Sequence, residues 1–185
     1  MSKTIEIFAG PNGSGKTTFS ETILSRRKDP IVINTDKIAS GLTLVNTEFA
    51  QYEAGRIMLG QMGHALDSGK SFAFETTMSG RIWASHLKKA KKEGYRIVIY
   101  FIFVRSIQLS LKRIRNRVKE GGHNIPGLVV RRRFRRTFRN FVDLYQPLAD
   151  DWFIIDNSDG GKIIAQKANG KEKIVDPKTL KKYFQ

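Results

Sequence analysis

The feature that most constrains this chain stands near its start: Gly10-Pro11-Asn12-Gly13-Ser14-Gly15-Lys16-Thr17, with Thr18 behind it, fits the spacing G-x-x-x-x-G-K-[ST]. Such a loop works only between a strand that delivers it and a helix that leaves it. Both are legible, because Thr4-Ile5-Glu6-Ile7-Phe8-Ala9 reads as a strand and Thr17 to Arg27 can form a helix. Glycines at 10, 13 and 15 permit backbone angles that turn consecutive N–H groups inward, a cradle for phosphate oxygens, and the helix start adds its positive dipole end. In this pattern Lys16 reaches the β- and γ-phosphates, and the Thr17 hydroxyl is placed to ligate the Mg²⁺ that bridges them. The whole stretch from Gly10 to Thr18 is therefore the candidate nucleotide-binding segment.

With 185 residues the chain can bury one sizeable core, and a single domain over 1–185 is the expectation. There is no cysteine, which excludes disulfides and thiolate metal sites and fits a reducing compartment. No apolar run approaches the ~18–20 residues that span a bilayer, so the sequence reads as soluble and cytoplasmic. The formal net charge of +16 predicts affinity for polyanions, acidic proteins or phosphorylated small molecules without choosing among them.

Along the chain, Pro30-Ile31-Val32-Ile33-Asn34 predicts a fully buried second strand, which puts Asp36 at a carboxyl strand end. A long helix follows from Asn46 to Ser68, with Gly55, Gly60 and Gly63 as places for a kink or a close approach. Ser71-Phe72-Ala73-Phe74-Glu75 is a third buried strand ending in a second carboxylate, followed by Thr76, Thr77, Met78 and Ser79, where Ser79 can cap the next helix. Arg96 to Val104 is the most apolar run and reads as the central strand.

Two Arg-bearing helices come next, joined by Gly121-Gly122-His123-Asn124-Ile125-Pro126-Gly127. Arg113 and Arg117 lie four apart on the first; Arg131, Arg132, Arg133, Arg135, Arg136 and Arg139 populate the second. Together, at about 106–145, they read as a lid able to supply guanidinium groups where transition-state charge develops. Asp151 to Asp156 is the fifth strand. Lys162 to Val175 then flank Asn169-Gly170, the dipeptide of a type I′ hairpin, and Asp176-Pro177 starts a short terminal helix, so 160–185 reads as an appended hairpin and helix.

The elements sum to an α/β chain, doubly wound, with a mainly parallel five-stranded sheet and an Arg-rich helical lid, closest to the mononucleotide kinase architecture. In open parallel sheets ligands bind beyond the carboxyl strand ends, where the glycine loop, Asp36 and Glu75 converge. A kinase acting on a hydroxyl needs a carboxylate beside that hydroxyl, a cation on the phosphates and further cations around the moving group. Asp36, Thr17 and the lid arginines fill those roles.

The glycine loop, Asn34-Thr35-Asp36, Phe74-Glu75-Thr76-Thr77 and the run Arg117-Val118-Lys119-Glu120-Gly121-Gly122-His123-Asn124-Ile125-Pro126 with Arg131-Arg132-Arg133 resemble the zeta-toxin-like P-loop kinases over roughly residues 3 to 158. The resemblance implies ATP and Mg²⁺ as the reagents and Asp36 as catalytic base. It also implies substrate binding by Glu75 and Thr77, and charge stabilisation by Arg117 and one of Arg131 to Arg133, with Arg131 taken here. Known members phosphorylate a UDP-N-acetylhexosamine and are restrained by a small antitoxin, which implies a nucleotide-sugar acceptor and, given the charge, an acidic antitoxin. Glu75-Thr76-Thr77-Met78-Ser79 departs from the Glu-Gly-Thr type of those members. Two other classes stay open: a polynucleotide-end or RNA-end kinase, and a nucleotide-dependent binding module that needs neither Asp36 nor Glu75.

Overall fold

The apolar run from Arg96 to Phe103 becomes strand β4 and lies near the middle of the sheet, where burial on both faces favours its β-branched and aromatic side chains. The structure, a computed structural model, describes residues 3–27, 30–34, 47–122 and 124–184. Strand β1 (Thr4–Ala9) runs parallel to β4 on one side and to β3 (Phe72–Thr76) on the other, so that Ile7 sits between Phe74 and Ile99. Strands β2 (Val32–Asn34) and β5 (Asp151–Asp156) extend the parallel set, in the order β2-β3-β1-β4-β5.

The last two strands revise the expected count. Strands β6 (Lys162–Ala168) and β7 (Lys171–Ile174) pair antiparallel and continue the same sheet from β5, giving seven strands where five were expected. Their turn is the foreseen one: Asn169 at φ 51° and Gly170 at φ 76° supply the two positive angles of a type I′ hairpin. The second strand also departs from expectation. Ile33 is buried, but Ile31 and Val32 are 39% and 43% exposed because β2 is an edge of the described sheet.

Helices cover both faces. Helix α1 (Lys16–Leu24) packs Leu24, Phe19 and Ile23 over Phe8, Ala73, Ile102 and Ile155. The opposite face carries α2 (Thr47–Asp67), α3 (Ile82–Lys92), α5 (Gly127–Asn140) and α6 (Pro177–Phe184), packed on Ile5, Ile7, Phe74, Ile99, Phe101 and Phe103. Helix α4 (Ile107–Lys119) leaves β4 with Ser106 Oγ accepting from the Leu109 N–H at 3.1 Å, a serine N-cap. No close neighbour explains Gly55, Gly60 or Gly63, since a Cβ at each would meet nothing within 4 Å. No described helix is long and apolar enough to cross a membrane.

The two Arg-bearing helices are not equally detached from this framework. Phe138 of α5 packs edge-on against Phe101 and Phe103 at 5.5 and 5.7 Å, and Phe141, in the π-helical turn Phe141–Tyr145 that continues α5, stacks on Phe101 at 4.3 Å. The C-terminal half of α5 is thus core, and only its first turns stand free of the sheet. The terminal helix α6 joins the same cluster, with the Phe184 ring 5.3 Å from those of Phe103 and Phe138.

Candidate functional site

Five parallel strands end on one edge, so the residues that follow them gather there whatever their separation in sequence. The glycine loop leaves β1 at that edge. Gly10 has φ 142°, and a Cβ there would stand 1.8 Å from the Ile102 carbonyl oxygen, so the loop can pass β4 only as glycine. Gly15, at φ 92°, marks the start of α1, and its missing Cβ leaves room for Asn157 Nδ2, which would stand 2.5 Å from it.

Asn157, the first residue after β5, fastens the loop. Its Nδ2 donates to the Ser14 carbonyl at 2.7 Å, and its own carbonyl accepts from Arg113 Nη2 at 2.8 Å. Ser110 of α4 adds a second tie, its hydroxyl donating to the Asn12 carbonyl. Loop and α4 are therefore tied twice. The Ser14 hydroxyl is fully buried with no hydrogen-bond partner among the described residues.

Lys16 folds back across the loop, Nζ donating to the carbonyls of Gly10 and Pro11 at 3.1 and 3.0 Å. Glu75, at the end of β3 beside Phe8, is buried and accepts on both oxygens, from Thr17 Oγ1 at 2.8 Å and from Ser20 Oγ at 2.8 Å. A hydroxyl and a carboxylate held this close are the hard oxygen donors that Mg²⁺ takes, so Thr17 and Glu75 fit such an ion. Among the described residues no cluster of three or more His, Cys, Asp or Glu side chains could hold a metal by itself.

These groups line one cavity of about 180 Å³, bounded by Asn12, Gly13, Gly15, Lys16, Thr17 and Thr18 of the loop, by Glu75, and by Arg113, Ile114 and Arg117 of α4. Three cations face one carboxylate, a surplus suited to phosphate. Arg117 is packed from behind by Gly122: the Gly122 N–H donates to the Arg117 carbonyl at 2.8 Å, and a Cβ on Gly122 would lie 2.5 Å from Arg117 Cγ. At Gly122 the chain thus closes over the arginine.

Other expected residues fall elsewhere. Arg131 and Arg132 are exposed on the first turns of α5, Arg133 is half-buried, and none of the three lines this cavity. Thr77 also lies outside it; its Oγ1 is 2.9 Å from Ser79 Oγ. Ser79 does not cap α3, whose N-cap is Arg81 without a side-chain bond. The segment is instead pinned by α5 and the turn after it. Asn140 Nδ2 donates to the Met78 carbonyl at 2.8 Å, Arg136 to that of Ser79 at 3.0 Å, and Tyr145 Oη to that of Gly80 at 2.6 Å. Burial pushes the Tyr145 hydroxyl up to about 12, so it stays a donor at any ordinary pH. Met78 holds a positive φ of 52°, a backbone strain that these bonds sustain. Asp156 is structural, binding Arg105 Nε at 2.5 Å and the Ser158 N–H at 2.9 Å. Asp36 and His123 lie outside the described residues.

Sequence reasoning missed Ser20 and Asn157. Ser20 carried a faint signal, three residues past Thr17 and so on the same helix face. Asn157 carried only its place after a strand end.

The comparisons with known proteins agree with this geometry. The family model described as Zeta toxin matches residues 1–168. An uncharacterized protein of Haemophilus influenzae is 33% identical over 127 residues, 69% of this chain and 89% of its own. Among solved structures, AvrRxo1-ORF1 in its complex with AvrRxo1-ORF2 and ATP superposes with TM-score 0.78 at 16% identity over 100% of this chain, which spans 64% of that longer chain. The PezAT toxin–antitoxin system of Streptococcus pneumoniae gives TM-score 0.61 at 14% identity, over 87% of this chain and 70% of its own. At such identities the structures attest the fold alone, whereas the family match spans most of the sequence: the chain belongs to the zeta toxin family and is built as a P-loop kinase.

Proposed function

We propose that the protein is an ATP-dependent phosphotransferase that moves the γ-phosphoryl group of ATP to a hydroxyl of a small molecule, with a UDP-N-acetyl sugar as the first acceptor to test. One observation carries the reading. Lys16, the Glu75-bound Thr17 hydroxyl and the two arginines of α4 converge on a single cavity at the mouth of the glycine loop. A binding module needs the cradle but not a second bank of guanidinium groups above it.

In the proposed reaction the loop N–H groups and Lys16 hold the β- and γ-phosphates, and Arg117 meets the charge that grows on the transferred group. The bond from the bridging oxygen to the γ-phosphorus breaks, leaving ADP. A bond forms from the acceptor oxygen to the same phosphorus, and the acceptor proton passes to the Asp36 carboxylate, two residues past the end of β2. Thr17 and Glu75 would hold Mg²⁺, which would supply neutralisation of phosphate charge. Glu75 is committed to α1 through both oxygens, which favours a role at the phosphates over the acceptor contact implied by the resemblance. Thr77 keeps the acceptor role.

The net charge of +16, and the complexes in which AvrRxo1-ORF1 and PezAT are found, support an acidic protein partner of the antitoxin kind. The absence of cysteine supports work in the cytoplasm. The exposed Arg131, Arg132 and Arg135 keep a nucleic-acid-end kinase as the second reading. One assay separates them. The protein is incubated with γ-labelled ATP and, in parallel, UDP-N-acetylglucosamine, a metabolite extract or 5′-hydroxyl oligonucleotides. Label on a small molecule supports the first reading; label on oligonucleotides alone replaces it with the second.

A further inference from the structure

A second, larger concavity shares no lining residue with the phosphate cavity. It measures about 720 Å³ and lies between the start of α4, the length of α5 and the terminal helix α6. Its floor is aromatic, formed by Phe134 and Phe138 of α5 and Phe184 of α6, with Val142 and Tyr183 half-buried beside them. Its rim is cationic, with exposed Arg135, Arg139 and Lys182.

The charges at this rim are weakly committed. Arg139 reaches Asp143 only at 3.4 Å, with both side chains largely in solvent, and Arg105 is turned to Asp156. Arg135 and Lys182 have no ion-pair partner among the described residues. With Arg105 balanced by Asp156, three cations, Arg135, Arg139 and Lys182, line the groove against one carboxylate, Asp143. A patch of this composition repels another copy of so basic a chain and attracts an acidic one.

Shape narrows the occupant further. From Phe134 to Asp143 the helical wall runs for roughly 13 Å, about two and a half turns of a helical peptide. An apolar floor with a rim of one sign accepts an amphipathic helix, apolar side down and acidic side toward the rim. The α6 wall lies beyond residues 1–168 matched by the family model.

We propose that this groove is a docking surface for an acidic, amphipathic segment of a protein partner. The partner's aliphatic or aromatic side chains rest on the Phe134, Phe138 and Phe184 floor, and its carboxylates meet Arg135, Arg139 and Lys182. Because no residue of the phosphate cavity takes part, a partner seated here leaves nucleotide access open. The proposal does not rest on the reaction proposed above.

The test is fluorescence anisotropy with a fluorescein-labelled peptide of about 15 residues, long enough to hold a helix, built from glutamates with leucines at i, i+3, i+4, i+7 and i+11. A control peptide has serines in place of the leucines. Arg135→Glu/Arg139→Glu/Lys182→Glu is compared with Lys88→Glu/Lys89→Glu/Lys92→Glu, an equal reversal on exposed lysines of α3. The expected result is saturable binding of the leucine peptide, weakened ~10-fold or more by the groove triple and little by the α3 triple, with no displacement by ATP and Mg²⁺. Equal weakening by both triples, equal binding of the serine peptide, displacement by ATP, or no binding of the leucine peptide would each overturn the proposal. Circular dichroism on both triples confirms that each is folded.

Discussion

Helices α4 and α5 are adjacent, both basic and both amphipathic, yet they use arginine differently. On α4, Arg113 and Arg117 lean over the glycine loop, because the helix leaves β4 at the carboxyl edge and is tied to the loop through Ser110 and Asn157. On α5, the apolar side is consumed by the aromatic core and by the bonds that hold the segment after β3, which leaves Arg131, Arg132 and Arg135 in solvent. Residue type therefore does not make an arginine part of a site. Its helix must also be anchored at the strand ends, as Ser110 and Arg113 anchor α4.

If this contrast is sound, Arg117→Ala lowers turnover by ~10³-fold with a much smaller change in ATP affinity, because its guanidinium meets charge formed mainly in the transition state. Steady-state kinetics beside equilibrium ATP titration measure both, and a loss confined to ATP affinity would reduce Arg117 to ground-state binding. Gly122→Ala is next in size. The added methyl displaces Arg117 by contact at Cγ, and we expect turnover to fall on the order of 10- to 100-fold, the cost of a misplaced catalytic group. An unaffected Gly122→Ala enzyme would show that the loop simply yields.

Arg131→Ala and Arg139→Ala should change turnover by about twofold or less, as expected of surface substitutions. Should Arg131→Ala match Arg117→Ala, the free first turns of α5 close over the phosphates in the working enzyme, and the contrast between the helices holds only at rest.

The smallest effect lies at the opposite edge of the sheet, where Asp150 serves the fold alone. Burial raises its pKa, but the Ile97 N–H at 2.8 Å and Lys91 Nζ at 2.9 Å lower it by more, so it lies below its ordinary 3.8. A depressed folded-state pKa gives stability that is present above pH 3.8 and lost as pH falls through the folded value. Asp150→Asn should therefore lower the melting temperature at neutral pH by an amount that shrinks towards pH 3, without altering ATP binding. Solvent screens a carboxylate this exposed, so the change is about 1 kcal/mol or less.

The parts of this architecture legible in the sequence are those that local rules write down. The glycine spacing, the Asn169-Gly170 turn, the Ser106 cap and the apolar runs each state their conformation within a few residues. Arg117 was legible as one member of a longer motif. Glu75 was legible as a strand end, but its bond to Ser20 was not, because that bond depends on β3 pairing beside β1. The tie made by Asn157 was hidden for the same reason: its partner Ser14 follows β1, which only the strand order places one strand away from β5. The exposure of Ile31 and Val32 likewise follows from an edge position that no window of sequence contains.

The central claim is that the glycine-loop cavity binds ATP and gives up its γ-phosphoryl group there. The most direct measurement is label transfer from γ-labelled ATP into a metabolite extract by the wild-type protein and by Lys16→Ala, each paired with its ATP-induced shift in melting temperature. The account predicts a labelled acceptor and a clear shift, worth ~2.7 kcal/mol at a hundredfold excess of ATP over its Kd, for the wild type, and loss of both in Lys16→Ala. Equal label transfer or an equal shift in the two proteins would contradict it.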